Sequence, residues 1–354
     1  MKLLFLSSGK TVPATRFRTL QFVPHLRAAG HQCVVAHSFP QKYDHYPWLG
    51  FRPSQWLKRA NRYLDLFRAA WGDFDAIILE RELFNDDTLD LERRFRRIAK
   101  KLVLDIDDAV FVNFPSKLES LATMADLVLA GNDNLIEWAR QFNSNVLSMP
   151  TCIDTDAYAR SRKIDRRSVI PVVGWIGTSS NAHYLQLVDE ALMRTAQVHD
   201  FQFHVVSNSP ACLDSLRLKG VQVQYFPWSE RREQELLAQF DIGIMPLHDD
   251  QWSRYKCGAK LLQYMAMAIP GIASPVGVNS QIVKHAVNGY LATSSEEWFI
   301  ALSEFISDES RRRQLGQAGL RTVEESYSVS AHLPRWIGAV ESLINLPSLN
   351  RYTS

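Results

Sequence analysis

The sequence predicts an α/β protein with two doubly wound parallel sheets, and three observations predict it. Short apolar runs alternate with longer amphipathic stretches along nearly the whole chain, the rhythm of βα units whose strands are covered on both faces. That rhythm breaks in a polar stretch near residue 160 and then restarts. The chain has 354 residues, too many for one ordinary core and suited to two of roughly 150–200 residues.

In the first half the apolar runs Lys2 to Ser7, Gln32 to His37, Ala76 to Glu80, Lys101 to Asp107, Leu127 to Gly131 and Asn145 to Met149 read as strands. The amphipathic stretches Arg16 to Ala29, Gln55 to Trp71, Asp87 to Lys100, Ser116 to Met124 and Asn132 to Phe142 read as the helices between them. Pro150 to Ser168 is rich in Asp and Arg and suits an exposed connection. The second half gives strands at Val172 to Gly177, Phe201 to Ser207, Val221 to Phe226, Ile242 to Pro246, Gly271 to Ser274 and Gly289 to Ala292. Its helices fall at Ala182 to His199, Glu230 to Gln239, Cys257 to Ala268, Ser280 to Ala286, Glu296 to Ser307 and Arg311 to Ser326. A last amphipathic helix, about Ala331 to Leu346, is long enough to pack back on the first domain. Two such open sheets place their ligand crevice at the C-terminal ends of the strands, hence between the domains.

Composition narrows the class. Hydrophobic residues make up 46% and charged residues 22%, which argues for two packed cores and against disorder. A net charge of +2 supplies no field of the kind that gathers nucleic acid. Cys33, Cys152, Cys212 and Cys257 are too far apart for a zinc or redox motif and read as reduced thiols. The apolar start is too short for a signal peptide, and no window suits a spanning helix, so a cytoplasmic protein is expected.

The most informative stretch runs from Met245 to Asn279. Lys256 and Lys260 lie four residues apart at the start of a helix, where free amides and the positive dipole end favour an anion, so the pair suits a diphosphate; the same spacing also fits two solvated surface lysines. Gly277, Val278 and Asn279 form a glycine-containing turn after the next strand. The loop Gly177, Thr178, Ser179, Ser180 and Asn181 offers hydroxyls and amides for a phosphate, or only a helix cap. Gly9 opens a comparable turn after the first strand. In the first half Arg16, Arg18, Arg81 and Glu82 border strand ends and are candidates for acceptor binding, or for a salt-bridged rim. The helix Gln55 to Trp71 combines Lys58, Arg59, Arg62 and Arg68 with Trp56, Tyr63, Phe67 and Trp71, a composition that suits weak contact with an anionic membrane; its bland counterpart is a solvated helix with its aromatics in the core.

The stretches Lys256 to Asn279, Trp175 to Leu185 and Asn288 to Ala292, with the crossing last helix, together resemble retaining glycosyltransferases of family 4. The resemblance implies the GT-B fold, two Rossmann-like domains facing a central cleft: an acceptor domain at 1–150, a linker at 151–168, a nucleotide-sugar domain at 169–330 and the returning helix at 331–347. It implies transfer of a sugar from a nucleoside-diphosphate sugar to a hydroxyl acceptor, a polysaccharide or lipid-linked glycan precursor, with retention at the anomeric carbon and without a metal or other cofactor. Lys256 and Lys260 would then stabilise the leaving diphosphate as catalytic groups, and Asp107 would stand near the sugar.

This chain departs from the family pattern at several points. Tyr255 and Gln263 occupy the places of two usual glutamates; Gln263 can still reach a ribose hydroxyl, and Asp249 or Asp250 could replace the other carboxylate. Thr178, Ser179 and Asn181 replace a usual basic pair, and Leu104 to Asp108 replaces a usual histidine, as in a subgroup with an Asp-rich segment there. Asp105 and Asp107 also fit the Asp-x-Asp of haloacid-dehalogenase-like phosphatases, which are Mg²⁺-dependent, and the missing glutamates leave open a nucleotide-sugar-binding protein without catalysis.

Overall fold

The computed structural model describes residues 1–162, 170–214 and 216–345. The chain divides into two compact units: residues 1–151 with 255–257 and 332 onward, and residues 152–254 with 258–331.

The first unit holds a six-stranded parallel sheet in the order β2-β1-β3-β4-β5-β6, with β1 Lys2–Ser7, β2 Gln32–His37, β3 Ala76–Glu80, β4 Leu102–Ile106, β5 Leu127–Ala130 and β6 Val146–Ser148. Its central strands are apolar and buried on both faces, which is why they read as unbroken runs. Around them lie α1 Val23–Ala28, α2 Phe51–Trp71, α3 Asp90–Ile98, α4 Pro115–Met124 and α5 Asp133–Arg140. The expected helix from Arg16 to Ala29 is divided: Thr15–Leu20 winds as a wider π-type turn, followed by α1 with Pro24 in its first turn.

Helix α2 is inverted relative to an ordinary surface helix. Ser54, Lys58, Arg62, Asp65 and Ala69, at helical spacing, form its buried side. Lys58 Nζ donates to the Lys42 carbonyl (2.7 Å), and Arg62 donates to the carbonyls of Ala36 (2.9 Å) and Ser7 (2.5 Å) and to Asp65 (3.1 Å). These bonds satisfy carbonyls at the end of the sheet, so the polar side is the one that packs. Lys58 and Arg62 are therefore committed inside the first unit, and the aromatics lie outside rather than in the core, which corrects the expectation of a solvated basic side over buried aromatics.

The second unit repeats the architecture in the order β12-β11-β10-β7-β8-β9, with β7 Val172–Ile176, β8 Gln202–Ser207, β9 Gln222–Pro227, β10 Ile242–Met245, β11 Gly271–Ala273 and β12 Gly289–Leu291. Its helices are α6 Thr155–Ala159, α7 Asp189–Ala196, α8 Glu233–Leu237, α9 Ala259–Ala266, α10 Asn279–Ile282, α11 Ser295–Ser307, α12 Glu309–Ser326 and α13 Val329–Asn345. Phe203, Trp298 and Phe305 are among the large side chains of its core. The expected helix Ala182 to His199 is again two pieces. Ser179–Val188 is a 3-10 helix that buries Ala182, Leu185 and Val188, a spacing of three that matches three residues per turn, and α7 follows.

Part of the expected connection, Lys163 to Ser168, lies outside the described residues, but the stretch before it is folded. Cys152 and Ile153 are buried, and α6 is capped by Asp154 and buries Tyr158. Helix α13 starts in the second unit, and from His332 it belongs to the first, where Trp336 stacks on Phe5 with ring centroids 6.0 Å apart. Among the described residues no helix is long and apolar enough to cross a membrane.

Candidate functional site

In an open parallel sheet the loops at the C-terminal ends of the strands, where the strand order reverses, form the natural ligand crevice. The second sheet reverses between β7 and β10, and the first between β1 and β3. Gly9, Arg81, Thr178 and Asp249 all follow these four strands, and Asp107 follows β4.

In the second unit the loop after β7 and the start of α9 meet. Lys260, in the first turn of α9, holds its ammonium 5.8 Å from the Trp175 ring centre. A Cβ added at Gly177 would lie 2.6 Å from the Trp175 ring and 2.8 Å from Lys260 Cε, so the glycine makes room for the lysine stem. Helix α9 follows Gly258, whose left-handed backbone (φ 68°) makes it an N-cap residue with no side chain to cap the first amides. The glycine is required there, because its φ opposes a side chain and a Cβ would stand only 2.4 Å from Ile282 Cδ1. Beside Lys260's loop, Thr178 Oγ1 accepts from Asn181 Nδ2 (2.8 Å) and lies 2.9 Å from Ser180 Oγ, while Ser179 N donates to Asn208 Oδ1 (2.8 Å). The loop is thus held by its own side chains and by Asn208.

The remaining donor-side candidates separate. In the turn after β11, Gly277 (φ 54°) lies against the Arg254 carbonyl, Val278 is buried, and Asn279 is fully buried, donating to the Ser274 carbonyl (3.1 Å) with Oδ1 unpartnered among the described residues. Asp249 is exposed and bidentate with Arg254 (2.6 and 3.2 Å), a pairing that holds its carboxyl below the ordinary value, and Asp250 accepts from Ser253 N (2.7 Å) as a turn cap. Gln263 is buried and donates to Tyr158 Oη (3.1 Å), which donates in turn to Glu233 (3.3 Å). Its amide is engaged with α6, a contact that spacing alone could not indicate, because α6 was not apparent in the sequence.

In the first unit the charged residues form a layered cluster at the ends of β3 and β4. Arg18 is buried and grips Asp105 through Nε and Nη2, and its Nη1 donates to the Met149 carbonyl (2.5 Å). Glu82 is buried against Lys42, so it and Arg18 are both engaged in ion pairs within the first unit. Glu80 accepts from Ser8 N (3.2 Å) and Thr15 Oγ1 (2.9 Å); burial raises its carboxyl despite those bonds. Arg81, with φ 54°, donates through Nε to Asp107 Oδ1 (2.5 Å) and reaches Asp108 (3.7 Å) and Tyr43 Oη (3.4 Å). Burial opposes ionisation of Asp107, but Arg81 outweighs it and holds the carboxyl below its ordinary value; for Asp108 burial prevails over Arg81 and Lys256, and its value is raised. Arg16 is half-buried with its guanidinium 5.3 Å from the Phe17 ring, and Gly9 (φ 148°) lies in a turn closed by Gln41, which accepts from Thr11 N (2.8 Å).

The segment 255–257 joins this cluster through Asn132, which sequence reasoning missed. Its Nδ2 donates to the Tyr255 carbonyl (2.7 Å) and toward Cys257 Sγ (3.3 Å), while its Oδ1 caps α5 at Leu135 N (2.9 Å). Gly131 admits the sulfur, since a Cβ there would lie 2.5 Å from Cys257 Sγ. Lys256 is consequently held at the end of β5, near enough for its charge to favour ionisation of Asp108. A Gly-Asn-Asp sequence directly after an apolar strand was the available signal.

Residues 170–308 match the family model of glycosyl transferases group 1. Solved structures share the fold over nearly the whole chain. A glycosyltransferase from Rickettsia africae ESF-5 is 13% identical, with 97% of this chain and 99% of that one covered at a TM-score of 0.68. Sucrose-phosphate synthase from Thermosynechococcus elongatus is 14% identical, with 97% and 99% covered at 0.71. HepE from Anabaena, in complex with UDP-glucose, is 16% identical, with 97% and 100% covered at 0.69. No curated protein sequence matches the chain significantly. The fold is that of the GT-B glycosyltransferases.

Proposed function

We propose that this protein transfers a sugar from a nucleoside-diphosphate sugar to a hydroxyl of a polysaccharide or lipid-linked glycan precursor, with retention at the anomeric carbon and without a metal. The observation that carries the reading is the placement of Lys260 over Trp175 and Gly177, where the loop after β7 meets the start of α9 at the switch point of the second sheet. A cation beside the amides of a helix start at that place suits a diphosphate. The group 1 match over 170–308 and the UDP-glucose complex of a similar fold support the same choice.

In this reading Lys260 and the loop from Thr178 to Asn181 hold the diphosphate, with Gly277, Val278 and Asn279 beside it and Lys256 adding positive charge. As the bond from the anomeric carbon to the phosphate oxygen breaks, the acceptor oxygen bonds to that carbon, and the acceptor proton passes to the departing phosphate. Asp107, kept ionised by Arg81, favours the positive charge that develops on the sugar. Because lysines neutralise the leaving group, activity is expected to survive EDTA. The phosphatase alternative requires a free nucleophilic carboxylate, whereas Asp105 is buried and gripped by Arg18.

The test is calorimetric titration with UDP, GDP and dTDP. Lys260→Ala is expected to weaken binding of the preferred nucleotide by about 10- to 100-fold, the loss of one charge-assisted bond, with little change in Tm. Unchanged nucleotide affinity would move the site elsewhere. NMR of the product made with an accepted sugar and acceptor reads the anomeric configuration, and inversion would remove the retaining assignment.

A further inference from the structure

The solvent side of α2 is as apolar as its buried side is polar. Trp56 is 78% exposed, Leu64 65%, Phe67 63% and Trp71 87%, and with Ala60 they run at spacings of four, four, three and four along one face of the 21-residue helix. Phe51 and Trp48, 64% and 80% exposed, extend the stripe beyond the helix start. At 1.5 Å per residue the stripe is about 30 Å long. Scattered exposed apolar residues need no explanation, but a contiguous stripe of this kind marks a surface that meets something apolar.

Charge identifies the occupant. The single carboxylate of α2, Asp65, is buried, where it holds Arg62 and the base of Arg68 (2.8 Å), so the outer face offers Arg52 and Arg68 without an exposed acid. Helix α3 packs beside it, and its exposed Arg93, Arg94 and Arg97 flank the stripe, with the Arg94 guanidinium 5.7 Å from the Tyr63 ring centre. At the margin, Asp86 is paired with Arg59 (2.8 Å), and Asp44 accepts from Gln41 (2.9 Å). Asp87 and Asp90 are exposed at the start of α3, yet the outer face of α2 itself carries arginines alone, so a second copy docked stripe to stripe would set the arginines of one α2 against those of the other. An anionic bilayer meets both features, since acyl chains accept the stripe, the headgroup zone suits Trp and Tyr, and anionic headgroups face the arginines.

We propose that α2 lies in the plane of an anionic membrane surface and inserts Trp56, Leu64, Phe67 and Trp71 at the headgroup boundary, with Arg52, Arg68 and the α3 arginines on the lipid phosphates. The inference rests on α2 and its surroundings and is independent of the transfer chemistry. Apolar insertion, rather than charge alone, dominates, so the contact keeps much of its strength in high salt.

The experiment is co-sedimentation with vesicles of phosphatidylglycerol and phosphatidylethanolamine, compared with phosphatidylcholine alone. The parent protein is expected to sediment with the anionic vesicles, and brominated lipid is expected to quench its tryptophan emission. The triple variant Trp56→Asp/Leu64→Asp/Phe67→Asp is expected to lose roughly 100-fold or more in partition while keeping its circular dichroism and UDP affinity. Arg52→Glu/Arg68→Glu is expected to weaken binding at low salt only. Absence of sedimentation, sedimentation unchanged in the triple variant, or a parent dimer that the triple variant dissolves without vesicle binding would each overturn the proposal. Quenching is measured on the parent protein, so its absence also overturns the proposal however the variants fold.

Discussion

Replacing Arg18 by Met tests whether the first unit's charge cluster is scaffold or acceptor site. Arg18 and Asp105 are 4% and 5% exposed, and the guanidinium also serves the Met149 carbonyl. Removing it leaves a buried carboxylate and a buried carbonyl without their main partner, a change that costs about 3–5 kcal/mol. Replacing both residues, as in Arg18→Met/Asp105→Leu, removes the orphaned charge and is expected to recover most of that loss, giving a coupling energy of a few kcal/mol. The cost also depends on pH. Burial holds the Asp105 carboxyl above its ordinary 3.8 even against the attraction of Arg18, so the folded protein binds that proton more tightly than the unfolded chain. Its contribution therefore lowers stability as pH rises through 3.8 and on through the folded value. Without Arg18 that window extends upward, and the deficit of the single variant is expected to be smaller in mild acid than at neutral pH. Urea unfolding followed by circular dichroism at both pH values measures this. A single variant within about 1 kcal/mol of the parent, with a raised acceptor KM, would refute the scaffold reading and return Arg18 to the acceptor.

Three further outcomes follow from contacts in the structure. Gly177→Ala places a methyl 2.6 Å from the buried Trp175 ring and 2.8 Å from Lys260 Cε, so the lysine must yield; weaker UDP binding in calorimetry, with about 1–3 kcal/mol of destabilisation, is expected, and unchanged affinity would separate Lys260 from the nucleotide. Tyr158→Phe leaves Gln263 and Glu233 without their shared hydroxyl and is expected to cost about 1–3 kcal/mol in urea unfolding with UDP affinity intact, whereas a fall in affinity would assign Gln263 to the nucleotide. Burial, then Asp107, pushes the Cys257 thiol up to about 12, so Ellman's reagent at neutral pH is expected to modify it only on unfolding; rapid labelling of the native protein at Cys257, located by peptide mapping, would contradict its burial.

The strands and their division into two sheets were legible in the amino-acid sequence, because a parallel strand covered on both faces must be apolar throughout, and such runs need no partner to be recognised. The same holds for the turns: Gly9, Gly177 and Gly277 mark places where backbone geometry or close approach excludes a side chain, a local requirement. Residue type likewise pointed to Lys260, whose place at a helix start is set by neighbours in the chain. The tertiary structure alone decided which charges are committed. Arg18 with Asp105, Glu82 with Lys42, and Gln263 with Tyr158 are contacts between distant segments, and nothing in the spacing of Gln263 indicates that α6 covers it. Helix α2 is the sharpest case: its periodicity shows one polar and one apolar side, but not which side packs. That choice fell to the carbonyls of Ser7, Ala36 and Lys42, whose need for donors drew Arg62 and Lys58 inward and left Trp56, Phe67 and Trp71 outside.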